Sequence, residues 1–256
     1  MISDKAIISK QASLDSSVQI GAHSFIDKEV KIGKNVKIHS SVVITGNTTI
    51  SDGCEIYPFA CIGSSPQHLK YKGEGTKVFI GKDSIIREFV TINRGTEKGA
   101  GVTTVGSKCL LMTSSHVGHD CVIGNSVVFA NNVAIAGHVE VGDNVIIGGN
   151  SAVQQFTRIG KLAIVGGMTG VEKDIIPYGF VFGNRSHLHG INIIGLKRFG
   201  YETKEINALK KIIHIIFSHK ILKQGISEAK KFIKFKTVED VIFFLEKNKK
   251  RPICRP

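Results

Sequence analysis

Large aliphatic residues recur at every sixth position along the first two thirds of the chain. The register holds without a miss from residue 2 to residue 62, and from residue 20 onward every position in it is isoleucine. Four residues after each of these positions stands a small or β-branched side chain. A period of six fits neither an α-helix, with its 3.6 residues per turn, nor one long strand, with its period of two. It is typical of the hexapeptide repeats of a parallel β-helix, in which short strands stack coil upon coil.

Two irregular segments interrupt the repeats. The segment 64–77 is predicted to leave the coil as a loop, and a second piece, 98–104, shifts the phase by one residue. The pattern then continues and is predicted to stop at Pro177. With three hexads per coil, one coil takes 18 residues, so residues 18 apart in an uninterrupted stretch lie directly above one another.

Beyond Asn192 the apolar residues recur at helical spacing. They predict one helix within 203–220. Ser227 is predicted to cap a second helix, and Thr237 with Asp240 to form a capping box that opens a third.

The predicted fold class is therefore mainly β, with a β-helix domain at 1–190 and a C-terminal α-helical domain at 191–256. The handedness of the coil does not follow from the repeat, since parallel crossovers are normally right-handed. No apolar run approaches the ~18 residues that span a bilayer. Because the repeats begin at residue 2, we expect no signal peptide and a cytoplasmic protein.

The net charge of +13 is concentrated near the C-terminus. Residues 1–196 hold 18 Lys and Arg against 15 Asp and Glu, whereas residues 197–256 hold 16 against 6. A solvated helical surface is the ordinary explanation, and electrostatic steering of an acidic partner is the alternative. Nucleic acid is not expected as a partner, because no recognition motif accompanies the charge.

The five cysteines show neither disulfide nor zinc-site spacing. Cys54, Cys109 and Cys121 occupy the small-residue position of a hexad and are expected to point inward. Cys254 is predicted to lie in a frayed tail.

Polar residues that break the repeat are the candidates for chemistry. The densest run is 114–121, which includes His119 and Asp120. One coil higher, the 18-residue spacing places Gly137 above His119 and His138 above Asp120. Histidines therefore gather along one edge of the predicted coil.

Three interpretations compete for this cluster. The first is solvent-exposed histidines on turns, and the second is a metal site, which the His-x2-His spacing does not favour. The third is general-base catalysis, in which the carboxylate of Asp120 sets the basicity and tautomer of His119. His119 would take a proton from a hydroxyl or amine as that atom attacks an acyl thioester, and the N–H of Gly137 could stabilise the oxyanion. A nucleophilic Cys121 is not favoured, because its position points inward.

An ordered set of motifs resembles the UDP-N-acetylglucosamine O-acyltransferase family of lipid A biosynthesis over nearly the whole chain. These motifs are Leu-Met-x3-His-x2-His-Asp-Cys at 111–121, Ala-Asn-Asn at 130–132, Ala-Gly-His at 136–138, Ile-Gly-Gly at 147–149, Gln-Phe at 155–156, Gly-Asn at 183–184 and Gly-Leu-Lys-Arg at 195–198. The resemblance implies a left-handed β-helix and a homotrimer with active sites between subunits. It also implies a 3-hydroxyacyl donor on acyl carrier protein, the glucosamine 3-hydroxyl of the UDP-sugar as acceptor, and no cofactor or metal.

The resemblance also implies a role for individual residues. His119 would be the general base, Asp120 its partner and Gly137 the source of the oxyanion N–H. The residues implied in binding the nucleotide-sugar are Gln67, Lys70, His116, His138, Gln155, Asn192 and Arg198. Gly167 matches the position that sets acyl-chain length, where a missing side chain favours a long chain; a tight coil corner explains this glycine equally well. The family's acidic carrier protein would be a partner for the basic C-terminal helices.

Four positions depart from the family pattern, and they leave open whether the acceptor offers a 3-hydroxyl or a 3-amine. They are His68, Gln154, Ile194 and Phe199, where the family often has aspartate, histidine, glutamate and arginine. The alternatives are the N-acyltransferase that acts later in the same pathway, a coenzyme A-dependent acetyltransferase, a zinc enzyme similar to carbonic anhydrase, and a purely structural solenoid. The first of these carries an additional N-terminal uridine-binding domain, whereas here the repeats begin at residue 2.

Overall fold

The computed structural model describes residues 1–232, 234–247 and 250–256. Short parallel strands wind into a left-handed β-helix with three faces, and α-helices follow at its C-terminal end. The predicted fold class is confirmed.

Each face of the β-helix is a sheet built from every third strand. Face 1 consists of β1 (Ile7–Ile8), β4 (Phe25–Ile26), β7 (Val43–Ile44), β10 (Cys61–Ser64), β13 (Thr91–Asn93), β16 (His116–Val117), β19 (Ala134–Ile135), β22 (Ala152–Val153) and β25 (Gly170–Val171). Face 2 consists of β2 (Ser13–Leu14), β5 (Lys31–Ile32), β8 (Asn47–Ile50), β11 (Lys77–Ile80), β14 (Val102–Val105), β17 (Val122–Ile123), β20 (Glu140–Val141) and β23 (Arg158–Ile159). Face 3 consists of β3 (Gln19–Ile20), β6 (Lys37–Ile38), β9 (Glu55–Ile56), β12 (Ile85–Ile86), β15 (Leu110–Leu111), β18 (Val128–Phe129), β21 (Ile146–Ile147), β24 (Ile164–Val165), β26 (Gly179–Phe182) and β27 (His187–Ile191).

The hexad residues form the core of the coil, as the period predicts. Ile26 pairs in register with Ile44, and Ile44 with Ile62, at intervals of 18 residues. All three are fully buried. Their side chains stack in aliphatic columns along the axis, and burying one such side chain contributes about 1.5–3 kcal/mol.

The corners of the coil are turned by single residues in the left-handed region of φ and ψ. These residues stand three positions after an inward-facing aliphatic residue, as at Asp120 (φ 59°), His138 (φ 61°) and Phe156 (φ 65°). Asn and Asp adopt this conformation most readily among non-glycine residues, whereas bulky residues do so rarely. The turn therefore fixes the direction in which each corner side chain leaves the coil.

Both interruptions of the repeat leave the coil at the corner between face 1 and face 2, which we call the site corner. The first loop, 65–76, joins β10 to β11, and the second, 94–101, joins β13 to β14. The turns that carry His119, His138 and Phe156 lie at the same corner in the next three coils. Loops and histidines that are far apart in sequence thus lie along one edge of the β-helix.

The coil continues past Pro177, where the hexad pattern of the sequence stops. Beyond Pro177, β26 still pairs in parallel with β24, and only β27 reverses direction, pairing with β26 in an antiparallel hairpin. The helices that follow are α1 (Ile193–Arg198), α2 (Thr203–Ser218), α3 (Leu222–Ala229) and α4 (Lys236–Glu246), with a 3₁₀ turn at Lys230–Phe232. The helix predicted within 203–220 is confirmed as α2.

Three local predictions in the C-terminal region were wrong. Ser227 lies inside α3 rather than at its start. Asp240 closes no capping box with Thr237, because its carboxylate accepts a hydrogen bond from the Tyr178 hydroxyl at 2.5 Å. Cys254 is fully buried rather than frayed, and its backbone N–H donates to the carbonyl of Asp174 at 2.8 Å. For Asp240 and Cys254 a tertiary contact replaces the local arrangement that the sequence suggests.

Candidate active site

His119 and Asp120 form a buried hydrogen-bonded pair at the site corner. The Nδ1 atom of His119 lies 2.8 Å from Oδ2 of Asp120. The side chains are 7% and 0% exposed. An ionised carboxylate can only accept, so Nδ1 carries the proton and the lone pair of Nε2 is free. This is the arrangement that a neutral imidazole base requires.

The Asp120 carboxylate is held by the second loop of the site corner. Oδ1 accepts from the backbone N–H groups of Thr96, Ala100 and Gly101 at 3.0, 2.9 and 3.2 Å. Oδ2 accepts from the Thr96 hydroxyl at 2.7 Å, in addition to His119. The carboxylate is therefore fixed in place before any substrate arrives.

These hydrogen bonds decide the charge of Asp120. Burial alone would raise the pKa of the carboxyl group, but the hydrogen bonds from Thr96 and His119 and the nearby His138 outweigh it and lower the pKa below its usual value. Asp120 is consequently ionised at neutral pH.

Gly137 lies against the face of the His119 ring, one coil higher. A Cβ atom at this position would lie 2.6 Å from both Cε1 and Nε2 of His119. Only glycine leaves this space for the imidazole. The backbone N–H of Gly137 donates no hydrogen bond to any of the described residues, so it is available to an incoming oxyanion.

A column of rings extends from His119 in both directions along the site corner. His68 and His138 each meet the His119 ring edge to face, with centroids 5.3 and 5.0 Å away. His138 in turn stacks on Phe156 at 4.5 Å, and the ammonium group of Lys250 lies 4.4 Å from the Phe156 ring. The predicted vertical alignment of 119 with 137 and of 120 with 138 is present in this column.

His116 lies on β16, the strand that leads into the turn of His119 and Asp120, and its hydrogen-bond partner is Thr91 rather than Asp120. Its Nδ1 atom lies 2.7 Å from the Thr91 hydroxyl. Burial lowers the pKa of His116, and the neighbouring His119 lowers it further. His116 is therefore neutral at pH 7 and suited to hydrogen bonding with a substrate.

The first loop brings two of the predicted substrate-binding residues to the same corner. Gln67 and Lys70 are exposed on it, and Lys70 and His138 both line a small cavity of about 90 Å³. The loop is tied to the coil through Arg94, whose Nη2 donates to the Tyr71 hydroxyl at 2.6 Å.

Four other predicted residues lie outside the ring column. Asn192 is buried and caps α1, where Oδ1 accepts from the N–H of Gly195 at 2.8 Å. Arg198 is exposed in the last turn of α1. Gln155 and Gly167 are also exposed. Within the described part of this chain, no hydrogen bond, ion pair or ring contact joins any of the four to His119.

Three residues that the sequence did not indicate also contact this group of side chains: Thr96, Thr103 and Lys250. Thr103 is not part of the column of rings, but it holds the turn at Asp120. Its hydroxyl accepts a hydrogen bond from the backbone N–H of Asp120 at 2.8 Å. Thr96 could have been suspected, since its loop breaks the repeat at the corner that carries the histidines. Nothing in the repeat pattern indicates Lys250, which reaches Phe156 from the far end of the chain.

A second cavity of about 240 Å³ adjoins the histidines. It is lined by Ala100, Asp120, Val122, His138, Glu140, Phe156, Arg158 and Lys250. Next to this cavity, Arg251 connects the C-terminal segment to the coil, because its Nε donates a hydrogen bond to the carbonyl of Gln155 at 2.8 Å. The cavity thus leaves open space beside the buried His119–Asp120 pair, where a small molecule could lie.

A left-handed hexapeptide-repeat β-helix with a buried histidine–aspartate pair at one corner is typical of one class of protein, the hexapeptide-repeat transferases. Residues 29–64 match the family profile described as bacterial transferase hexapeptide, and residues 174–254 match the second domain of UDP N-acetylglucosamine O-acyltransferase. The acyl-[acyl-carrier-protein]–UDP-N-acetylglucosamine O-acyltransferase of Thermodesulfovibrio yellowstonii is 44% identical over 98% of this chain and 97% of its own length. The chain belongs to the UDP-N-acetylglucosamine O-acyltransferase family.

Solved structures of this family share the whole fold. LpxA from Acinetobacter baumannii superposes with a TM-score of 0.97 at 40% identity, covering 99% of each chain. The UDP-N-acetylglucosamine acyltransferase of Arabidopsis superposes with a TM-score of 0.86 at 30% identity, covering 99% of this chain and all of the other. Of the helices in the described residues, none is long and apolar enough to cross a membrane.

Proposed function

We propose that this protein transfers a 3-hydroxyacyl chain from acyl carrier protein to the glucosamine 3-position of UDP-N-acetylglucosamine, the first step of lipid A biosynthesis. The observation that carries the proposal is the buried His119–Asp120 pair with Gly137 against it, in a chain whose relatives are named for this reaction. A fixed base beside a free backbone N–H is the pair of groups that acyl transfer needs.

In the proposed mechanism, Nε2 of His119 takes the proton of the acceptor as the acceptor oxygen, or a 3-amino nitrogen, attacks the thioester carbonyl. The oxyanion that forms accepts a hydrogen bond from the N–H of Gly137. The tetrahedral intermediate then expels the carrier's thiolate, which receives the proton from the imidazolium. Asp120 holds the imidazole in the reactive tautomer and stabilises its protonated form.

Direct transfer is favoured over an enzyme-bound intermediate. The thiol next to the His119–Asp120 pair in the sequence is that of Cys121, which is fully buried in the coil. Burial raises the pKa of this thiol to about 12, so it is not a nucleophile at neutral pH. The proposed reaction uses no cofactor, since the thioester already supplies the activated acyl group.

The nucleotide-sugar is proposed to bind the residues that the family resemblance implies. In support, His138 contacts the His119 ring, Lys70 and His138 line one cavity, and Gln67 is exposed on the same loop as Lys70. His116 lies three residues before His119 in the sequence. Gln155 lies one coil above Gly137, Asn192 caps the start of α1, and Arg198 lies in its last turn. Arg198 suits a diphosphate, because a guanidinium makes paired charge-assisted hydrogen bonds.

A homotrimer with sites between subunits is part of this proposal. Its support is that, among the described residues of one chain, no hydrogen bond, ion pair or ring contact joins Asn192 or Arg198 to His119. In a trimer a neighbouring subunit would supply them.

The acidic acyl carrier protein is proposed to dock on the basic C-terminal helices, and the enzyme to act in the cytoplasm. Residues 197–256 hold 16 basic against 6 acidic residues. Steering between exposed charges is screened by salt. Raising the salt concentration from about 0.05 to about 0.5 M should therefore increase KM for the acyl carrier protein thioester much more than KM for the UDP-sugar.

The test is a labelled UDP-sugar incubated with a panel of acyl carrier protein thioesters of different chain length, with the 3-amino sugar run beside it. We expect one acyl product from wild type, and a rate at least about 100-fold lower in His119→Ala. His187→Ala, at an exposed position in β27, is the matched control. Absence of product with every thioester would refute the reaction, and undiminished product in His119→Ala would refute the mechanism.

A further inference from the structure

The C-terminal segment packs against the coil beside the candidate active site. The backbone N–H of Asp174 donates to the carbonyl of Pro252 at 2.8 Å. The Nε atom of Arg251 donates to the carbonyl of Gln155, also at 2.8 Å. Both residues of the segment directly follow Lys250 in the sequence, so the backbone next to Lys250 is fixed to the coil.

Lys250 carries a charge whose contact is an aromatic ring. Its ammonium group lies 4.4 Å from the centroid of the Phe156 ring. Nearby, Lys247 pairs with Glu140 at 3.5 Å, whereas within the described ranges of the chain no ion pair involves Lys250. The face of an aromatic ring attracts a cation through its quadrupole. The position of this ammonium group is therefore set by the ring rather than by a carboxylate.

Phe156 reaches this contact through a turn that costs free energy. Its φ of 65° lies in the left-handed region, which costs a residue with a Cβ atom about 1–2 kcal/mol. His138, one coil below, leaves the same corner at φ 61°. The two rings stack with centroids 4.5 Å apart. The Phe156 ring thus contacts His138 and Lys250 at once.

We propose that Lys250 is a positioning residue of the active site, which holds the stack of Phe156 on His138 in place. The held ring of His138 meets the His119 ring edge to face, with centroids 5.0 Å apart. Lys250, Phe156 and His138 also line one cavity beside the buried pair. The effect on catalysis rests on the proposed function, in which His138 binds the sugar, whereas the holding of the ring does not.

A role in docking the carrier protein is the alternative, because Lys250 is one of the basic residues of the C-terminal region. The two roles concern different substrates. A residue that positions His138 affects the use of the UDP-sugar, whereas a residue of the docking surface affects KM for the acyl carrier protein thioester.

The kinetic experiment measures kcat and both KM values for full-length Lys250→Met. We expect kcat/KM for the UDP-sugar to fall about 5-fold or more, a fraction of the loss that a misplacement of 1 Å causes. KM for the thioester should stay unchanged. Lys250→Arg keeps a cation for the ring and should restore most of the rate. Lys10→Met, at an exposed position of the first coil, removes the same charge and is the matched control. A change confined to KM for the thioester would overturn the inference.

A double-mutant cycle tests whether the effect passes through Phe156. Leucine is compatible with this turn, since Leu162 occupies the equivalent position in the next turn of the chain at φ 54°. If Lys250 acts through the ring, Lys250→Met should cause no further loss in the Phe156→Leu background. Melting curves check that each variant is folded. Two losses that multiply in the folded double variant would contradict a shared route.

Modification by diethyl pyrocarbonate gives a measurement that needs no acyl transfer. At pH 8 an ordinary imidazole is neutral and reactive, and the side chain of His138 is 24% exposed. Its modification, followed by mass spectrometry, should be about 2- to 5-fold faster in Lys250→Met, which is the factor that a cation–π contact at an exposed site contributes. Equal rates in wild type and Lys250→Met would refute the holding of the ring. Faster modification in a protein whose wild type transfers no acyl chain would contradict the proposed function alone.

Discussion

Substitution of Gly137 by alanine tests the active site most directly. The new methyl group would lie 2.6 Å from Cε1 and Nε2 of His119 and 3.1 Å from Nδ1. An ordinary carbon contact is about 3.5–4.0 Å, so the imidazole must move by roughly 1 Å. The hydrogen bond of 2.8 Å from Nδ1 to Asp120 cannot keep its length through that movement unless Asp120 moves too. Asp120 is held by the second loop and will not follow.

We expect kcat of Gly137→Ala to fall about 100-fold, which is the cost of misplacing a catalytic group by about 1 Å. Overpacking should also destabilise the protein by about 1–3 kcal/mol, without unfolding it. Alanine keeps the backbone N–H, so the oxyanion donor is still present. The substitution therefore separates the space that glycine leaves for the His119 ring from the hydrogen bond that the Gly137 N–H is proposed to donate to the oxyanion.

The assay is steady-state transfer from the preferred acyl carrier protein thioester, with urea unfolding of each variant in parallel. Gly75→Ala is the matched control, because a Cβ atom at that position meets nothing within 4 Å. A folded Gly137→Ala with the kcat of wild type would refute the reasoning. An equal loss in Gly75→Ala would show that the effect is not specific to the imidazole.

Three further predictions address charge, chain length and stability. The pKa of Asp120 is lowered in the folded protein, so its carboxylate stabilises the fold fully above the unfolded pKa of about 3.9 and progressively less as pH falls through the folded pKa. The difference in urea midpoint between wild type and Asp120→Asn should therefore shrink between pH 6 and pH 3. A difference that stays constant would contradict this linkage. At the exposed Gly167, methionine should shift the products toward shorter acyl chains, measured by mass spectrometry with the thioester panel. A Cβ atom there would lie 3.3 Å from the carbonyl oxygen of Gly149, so urea unfolding in parallel checks that the variant is folded. An unchanged product profile in a folded variant would remove Gly167 from the acyl site. Tyr178→Phe removes the hydrogen bond of 2.5 Å from the Tyr178 hydroxyl to Asp240. It should lower the free energy of unfolding, measured in urea titrations, by about 1.5–3 kcal/mol and leave kcat unchanged. A decrease below about 0.5 kcal/mol would show that this bond does not stabilise the protein.

Much of the candidate site followed from the sequence because a coil of fixed length converts sequence spacing into spatial neighbours. The 18-residue period predicted Gly137 above His119, and in the structure the two lie so close that a Cβ atom at Gly137 would be 2.6 Å from the His119 ring. The same reasoning did not extend across the interruptions. Ile62 pairs with Ile92, 30 residues away, so the contact of His68 with His119 could not be obtained from the period alone.

The sequence by itself determined the scaffold, since an inward aliphatic residue at every sixth position can bury its side chain only in a stacked coil. It also determined which residues decorate one edge of that coil. Only the tertiary structure decided which partners fix those residues. Thr96 holds Asp120 from 24 positions away, and Lys250 approaches Phe156 from the C-terminal segment. Such contacts depend on where the loops and the C-terminal segment pack against the coil. Neither local propensity nor the six-residue period determines that packing.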